Sequence, residues 1–267
     1  MKLSILICSV EQRVHALNPL VKHLQEQIGD LPVEILTEVD GGNTSIGQKR
    51  TTLLHRAKGE YIAFVDDDDW VPSYYVADIM HELAEHPDID CLGYWGVVTT
   101  DGHGRARFVH SLDYNDWFTY EGVHYRCPNH LNPVARELGL QVGFPALNHG
   151  EDHEYSSGLL PLLETHAMLP RCMYWYRYRS DKRTPIGAPP DNDDIFLHLA
   201  PPPAADHVPP RTPSVKQKPC LPPTTSGTPS PQPNRTAPSR ALPPGAGEAT
   251  GSPCYVRKGR GGRKKLI

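Results

Sequence analysis

Four consecutive carboxylates, Asp66-Asp67-Asp68-Asp69, directly follow the apolar run Tyr61 to Val65. Packed carboxylates repel one another and resist ionisation unless a cation or a donor neutralises them. A divalent ion is the natural partner, because hard Mg2+ or Mn2+ takes oxygen ligands from one or two carboxylates and shares the rest of its shell with substrate phosphates. The competing reading is an acidic solvated turn or a helix start that welcomes negative charge. A second acidic pair, Glu151-Asp152, heads an amphipathic stretch containing Tyr155, Leu159, Leu162 and Leu163, where capping is the competing role. Asp40 sits before Gly41-Gly42, and Lys49-Arg50 follow Gly47, so an Asp-Gly turn and a solvated helix face are their alternatives. His149 and His153 flank the acidic pair. His130 lies in a loop with Trp117, Phe118, Tyr120, Tyr125 and Asn129, whose flat faces suit stacking on a sugar or base, or ordinary packing under the loop.

These residues need a scaffold, and the first ninety positions alternate strand and helix signals. Leu3 to Cys8 is a continuous apolar run of buried-strand length, and Leu17, Leu20, Val21, Leu24 and Ile28 mark one helical face. Val33 to Val39 alternates as a strand, Leu53, Leu54 and Ala57 mark a short helix, and Tyr61 to Val65 is again a strand. Val76, Ile79, Met80 and Leu83 give another helical stripe. This order predicts a Rossmann-like α/β fold, a mostly parallel sheet flanked by helices, with ligands at the carboxyl ends of the strands. After Pro87 the spacing predicts a strand at Cys91 to Thr100, a turn at Asp101-Gly102 and a return strand at Phe108 to Leu112. A loop from Tyr114 to Asn132, a helix from about Glu151 to Leu163 and a last strand at Met173 to Tyr178 complete the body.

Composition divides the chain near residue 184. Nineteen of the 28 prolines fall in residues 185–267, and net charge changes from −10 before the divide to +6 after it. The proline-rich segment has scarcely any apolar periodicity and cannot bury enough area to offset chain entropy, so a disordered tail is expected. Its end carries Arg257, Lys258, Arg260, Arg263, Lys264 and Lys265, a tip suited to phosphates of nucleic acid or to the face of an anionic membrane, with a solubilising tail as the competing role. No window approaches the roughly 18 consecutive apolar residues of a membrane-spanning helix, and the N-terminal apolar run is too short for a secretory signal. A cytoplasmic location is expected. Six cysteines without close pairing favour reduced thiols.

Taken in order, Leu3-Ser4-Ile5-Leu6-Ile7, Asp40, Arg50, Asp66 to Asp69 with its DxD spacing, and Glu151-Asp152 resemble a family 2 glycosyltransferase of the GT-A fold across residues 1–184. The resemblance implies an inverting transfer of a sugar from a nucleotide-sugar donor, UDP-linked by preference, to a hydroxyl acceptor, with Mn2+ or Mg2+ as cofactor. It implies donor contacts from Asp40 to the base, from Lys49 and Arg50 to the diphosphate, and from Asp66 and Asp67 to the ribose and phosphate. Asp68, with Asp66, becomes the metal ligand and Asp152, beside Glu151, the general base. The two registers of the aspartate run leave Asp67 and Asp69 open as ligands. Trp117, Asn129, His130 and His153 are the expected acceptor residues. The acceptor is a saccharide or, by similarity to phage-type enzymes, a hydroxymethylated pyrimidine in DNA. A non-catalytic binding module recruiting partners through its proline-rich tail is the competing function.

Overall fold

The computed structural model describes residues 1–181 and 185–204, all within one compact unit. The elements run β1 (Leu3–Val10), α1 (Val14–Ile28), β2 (Val33–Asp40), α2 (Ile46–Arg56), β3 (Tyr61–Phe64), α3 (Tyr75–Glu85), β4 (Cys91–Thr100), β5 (His103–His110), β6 (Phe118–Tyr120), β7 (Val123–Arg126), β8 (Val134–Ala135), α4 (Arg136–Val142), α5 (Glu151–Leu159) and β9 (His166–Tyr178). One sheet joins the strands in the order β2-β1-β3-β8-β4-β5-β7-β6, with β9 paired to β4.

The sheet is parallel across β2-β1-β3 and mixed beyond it. Leu3, Ile5 and Ile7 of β1 face one side, and Leu6 and Cys8 the other, all buried. A strand covered on both faces reads as a continuous apolar run, as this one does. On the first side the stripe Leu17, Leu20 and Leu24 of α1 packs with Val76, Ile79 and Leu83 of α3 over Ala63 and Tyr61. On the second, Leu53 and Leu54 of α2 cover Leu6, Ile62 and Phe64, while Tyr155 and Leu159 of α5 cover Cys91 and Val134.

Two tight hairpins shape the second half. Asp101 and Gly102 turn β4 into β5 with left-handed φ of 52° and 78°, at the expected Asp-Gly turn. Glu121 and Gly122 do the same between β6 and β7 with φ of 47° and 75°, inside the segment expected to be a loop. Glutamate has little preference for the left-handed region, so this turn carries a weak sequence signal. Cys8, Cys91, Cys127 and Cys172 are all buried.

Packing continues past the expected boundary at residue 184. Phe196 is only 3% exposed and joins the larger core cluster. Asp193 accepts hydrogen bonds from the backbone and hydroxyl of Ser73, and the hydroxyl of Tyr125 donates to the carbonyl of Pro203 at 2.9 Å. The basic tip and most of the proline-rich segment lie outside the described residues.

Candidate active site

The carboxyl ends of β1, β2 and β3 bring Ser9, Asp40 and the aspartate run to one edge of the sheet, where open α/β sheets bind ligands. Helix α2 begins above this edge. Ser45 and Gln48 close a capping box at its start, which fixes the first turn and points Lys49 and Arg50 back at the strand ends.

Lys49 and Arg50 are 3% and 4% exposed. The Lys49 ammonium donates to the carbonyl of Ser9 at 2.6 Å and pairs with the Asp40 carboxylate. Asp40 also accepts from the backbone of Gly42 at 3.1 Å and Thr44 at 2.7 Å. The Lys49 hydrogen bond, helped by these amides, holds its carboxyl well below the usual range. Arg50 splits its fork, Nη2 reaching Asp66 at 2.9 Å and Nη1 reaching Glu151 at 2.7 Å. Burial alone would lower its pKa, but the two carboxylates outweigh it and leave it above its ordinary value. These ammonium and guanidinium groups, expected on a diphosphate, are instead turned to carboxylates within the protein, because a buried cation needs a counter-charge.

The four aspartates separate by burial. The Asp66 and Asp68 side chains are 27% and 17% exposed, whereas Asp67 and Asp69 are each 2% exposed. Asp67 accepts from the Ser9 hydroxyl at 2.5 Å and pairs with Arg13 at 2.9 Å. Burial pushes it up to about 7 against the pull of Arg13. Asp69 accepts from the Tyr174 hydroxyl at 2.9 Å and the Arg177 backbone at 2.8 Å, and burial, then Asp68 and Asp66, raises it well above the carboxylate range. Asp66 is held well below that range: burial alone would raise it, but Arg50 and then His130, whose Nε2 lies 3.6 Å away, prevail. Asp68 meets Arg13 at 3.2 Å and Arg179 at 2.9 Å. Of the two registers of the run, Asp66 and Asp68 are the more exposed, while Asp67 and Asp69 line a small cavity with Trp70 and Arg177. Asp67, expected to touch the donor, anchors Arg13 to β1 instead.

Glu151 and Asp152 open α5 after Gly150, which takes φ of 83°. Glu151, expected beside the base, is 6% exposed and committed to Arg50. Asp152 is half-buried, and one oxygen accepts the backbone N–H of His153 at 2.9 Å. Its other oxygen accepts no hydrogen bond from a described residue. The preceding loop is pinned to α2: Gly47 donates to the carbonyl of Leu147 at 3.0 Å and Ile46 to Asn148 Oδ1 at 3.0 Å. A Cβ on Gly47 would lie 1.8 Å from the carbonyl oxygen of Pro145, so only glycine permits this approach.

The expected acceptor residues divide too. Trp117 is half-buried and packs edge-on against the exposed His153, ring centroids 5.3 Å apart. Asn129 is 1% exposed and accepts from the Leu131 backbone, which makes it a turn former beneath the surface. His130 is 5% exposed, lies edge-on to Phe64, and hydrogen-bonds no described residue through either ring nitrogen. Arg13 and Arg179 carry no site signal in the sequence, and Tyr174 reads there as core and edge packing of the last strand. They come from a 3-10 turn, the segment after β9 and β9 itself, and no local motif links them to the aspartate run.

Among the described residues no three His, Cys, Asp or Glu side chains gather into a metal cage. Mg2+ or Mn2+ shared with a diphosphate needs only one or two carboxylates, and the partly exposed hard oxygens of Asp68 and Asp66 suit that demand.

The sequence model of the glycosyl transferase family 2 matches residues 15–136, which include Asp40, Lys49, Arg50 and the whole aspartate run but stop short of Glu151. No curated protein matches the sequence. Among solved structures, S. aureus TarS 1–349 in complex with UDP-GlcNAc superposes with a TM-score of 0.50 at 16% identity, covering 68% of this chain and 60% of that one. The same TarS fragment alone gives 0.49 at 16% identity over 66% and 60%. In complex with UDP it gives 0.48 at 16% identity over the same shares. This chain thus spans about 60% of those TarS chains. The GT-A-like sheet and the strand-end acids agree with this similarity, which the glycosyl transferase family 2 model carries over residues 15–136.

Proposed function

We propose that the protein transfers a sugar from a nucleotide-sugar donor to a hydroxyl acceptor with inversion at the anomeric carbon, and that Asp152 is the general base. The observation that carries this reading is the Asp66–Arg50–Glu151 chain of ion pairs. It ties the aspartate run to the start of α5 and leaves the adjacent Asp152 with an oxygen that no described residue engages. The acceptor oxygen bonds to the anomeric carbon as the bond from that carbon to the diphosphate oxygen breaks. The acceptor proton passes to Asp152, and the nucleoside diphosphate departs. A UDP-linked donor is favoured, since the TarS fragment was solved with UDP-GlcNAc and with UDP.

Asp40 lies where a donor base would meet the end of β2, and its lowered pKa keeps it an acceptor of hydrogen bonds. Lys49 and Arg50 act on the donor through the acids they position. Arg13 and Arg179 also pair with a carboxylate, Asp68, but at 31% and 11% side-chain exposure against 4% for Lys49 and Arg50 they are the cations that would meet the diphosphate. Asp68 and Asp66 would hold Mn2+ or Mg2+. When bound, that ion supplies positive charge against the growing charge of the leaving diphosphate. His153, next to Asp152, and Trp117, packed edge-on against it, would form the wall for an acceptor. The competing non-catalytic reading gains no support from an acid pair held in this geometry.

Asp152→Asn tests the assignment. Transfer is expected to fall by about 10²- to 10⁴-fold, the usual worth of a positioned base, with UDP affinity kept within about twofold. Wild-type turnover in the variant would remove Asp152 as the base.

A further inference from the structure

Arg126, the last residue of β7, occupies an unusual electrostatic position. Its guanidinium carbon lies 4.5 Å from the centre of the Trp117 ring, and no hydrogen bond or ion pair joins its guanidinium to a described residue. The other arginines near the site are committed: Arg13 and Arg179 to Asp68, Arg50 to Asp66 and Glu151, and Arg177 to the carbonyls of Gly187 and Ala188. Burial pulls the Arg126 guanidinium below its ordinary pKa, while Tyr176 and the nearby Asp152 oppose that shift. An arginine still carries its charge under such a shift, so a cation stands partly desolvated with no carboxylate of a described residue in direct contact. Stacking on Trp117 covers one face and leaves the nitrogen edge for a ligand.

We infer that Arg126, stacked on the Trp117 ring that in turn packs against His153, is a subsite for an oxyanion carried by the acceptor, so that the hydroxyl transferred to belongs to a phosphate- or carboxylate-bearing molecule. This rests on the transferase reading above. The location separates acceptor from donor. Asp68 with Arg13 and Arg179 marks the diphosphate end, whereas Arg126 adjoins the Trp117–His153 pair beside the base, and what surrounds the base must touch the acceptor. The guanidinium fork matches two oxygens of a phosphate or carboxylate at once, and the Trp117 and His153 rings form a wall for the body of the molecule.

The test uses the full chain saturated with UDP and measures binding of sn-glycerol 3-phosphate, gluconate and neutral glycerol by ligand-observed NMR, in the wild type and in Arg126→Gln and Arg126→Lys. The expected result is that at least one anion binds the UDP-loaded wild type at least about tenfold more tightly than glycerol. Arg126→Gln should remove that preference, Arg126→Lys should keep part of it, and UDP affinity should be unchanged. Equal binding of anions and glycerol by the wild type overturns the inference without any variant, which covers the case in which Arg126→Gln does not fold. A loss of UDP affinity in Arg126→Gln assigns the cation to the donor diphosphate and also overturns it. Failure of the wild type to bind UDP at all would instead count against the transferase reading itself.

Discussion

Arg50 holds two carboxylates, Asp66 and Glu151, that lie 16 and 101 residues further along the chain than the arginine itself. Removing one partner of a buried ion pair leaves the other charges uncompensated and costs about 3–5 kcal/mol. Arg50→Met should therefore lower the unfolding free energy by about that amount in urea titrations, and Arg50→Lys, which cannot span both carboxylates, should recover only part; a loss below about 1 kcal/mol for Arg50→Met would show that the triad is not structural. Asp67 makes a pH-dependent prediction. Its folded-state pKa of about 7 lies above its ordinary value near 3.8, so between those values the native state binds a proton that the unfolded chain has lost. The Asp67 contribution is fully present below about pH 4 and is lost as pH rises toward 7. The stability difference between wild type and Asp67→Asn should thus shift against the wild type on going from pH 5 to pH 7, by at most about 1.4 kcal/mol per unit. A difference that is flat with pH, or that moves the other way, would contradict the burial-driven assignment.

At the scale of elements, the sequence disclosed the parts whose signal is local. The strands β1 and β3, the stripes of α1 and α3, and the Asp101-Gly102 turn announce themselves through apolar runs, 3.6-residue spacing and turn chemistry. Strand β8 has two residues and α4 seven, too short to show a period, and the β6–β7 hairpin hides behind Glu121. The acids of the site were legible because they stand in runs and pairs at the ends of recognisable elements. Their partners were not: Arg13, Arg179 and Tyr174 reach the aspartate run only through the sheet topology. Nor could one-dimensional spacing tell that Lys49 and Arg50 turn inward, since that depends on which carboxylates the fold brings above α2. The contact of α2 with the loop before α5 offers a test at this scale. Gly47→Ala must push the Pro145 carbonyl away and carry Asp152 with it, and a displacement of about 1 Å at a reacting group can cost about 10²-fold. Turnover of Gly47→Ala should fall by about that factor while circular dichroism still reports a folded domain; unchanged turnover would mean the loop does not set the position of Asp152.

For the whole molecule, composition marks a change of regime near residue 184, but the packed unit takes twenty residues more for its own use. The segment that composition assigned to a tail sends Phe196 into the core and Asp193 to Ser73. A chain ending at residue 204 should unfold cooperatively at a higher temperature than one ending at 184, and Phe196→Ala in the full chain should cost about 3–5 kcal/mol. Equal melting temperatures for the two truncations would show the segment to be a passenger. No helix among the described residues is long and apolar enough to cross a membrane. The proposed union of the strand-end acids and Asp152 in one transferase site is tested most directly by the release of UDP from UDP-GlcNAc in the presence of Mn2+ and acceptor candidates, comparing wild type with Asp152→Asn by mass spectrometry. The wild type should give UDP and a glycosylated product, and the variant should bind UDP but form at least about 10²-fold less product; equal product from both proteins would rule out Asp152 as part of that site.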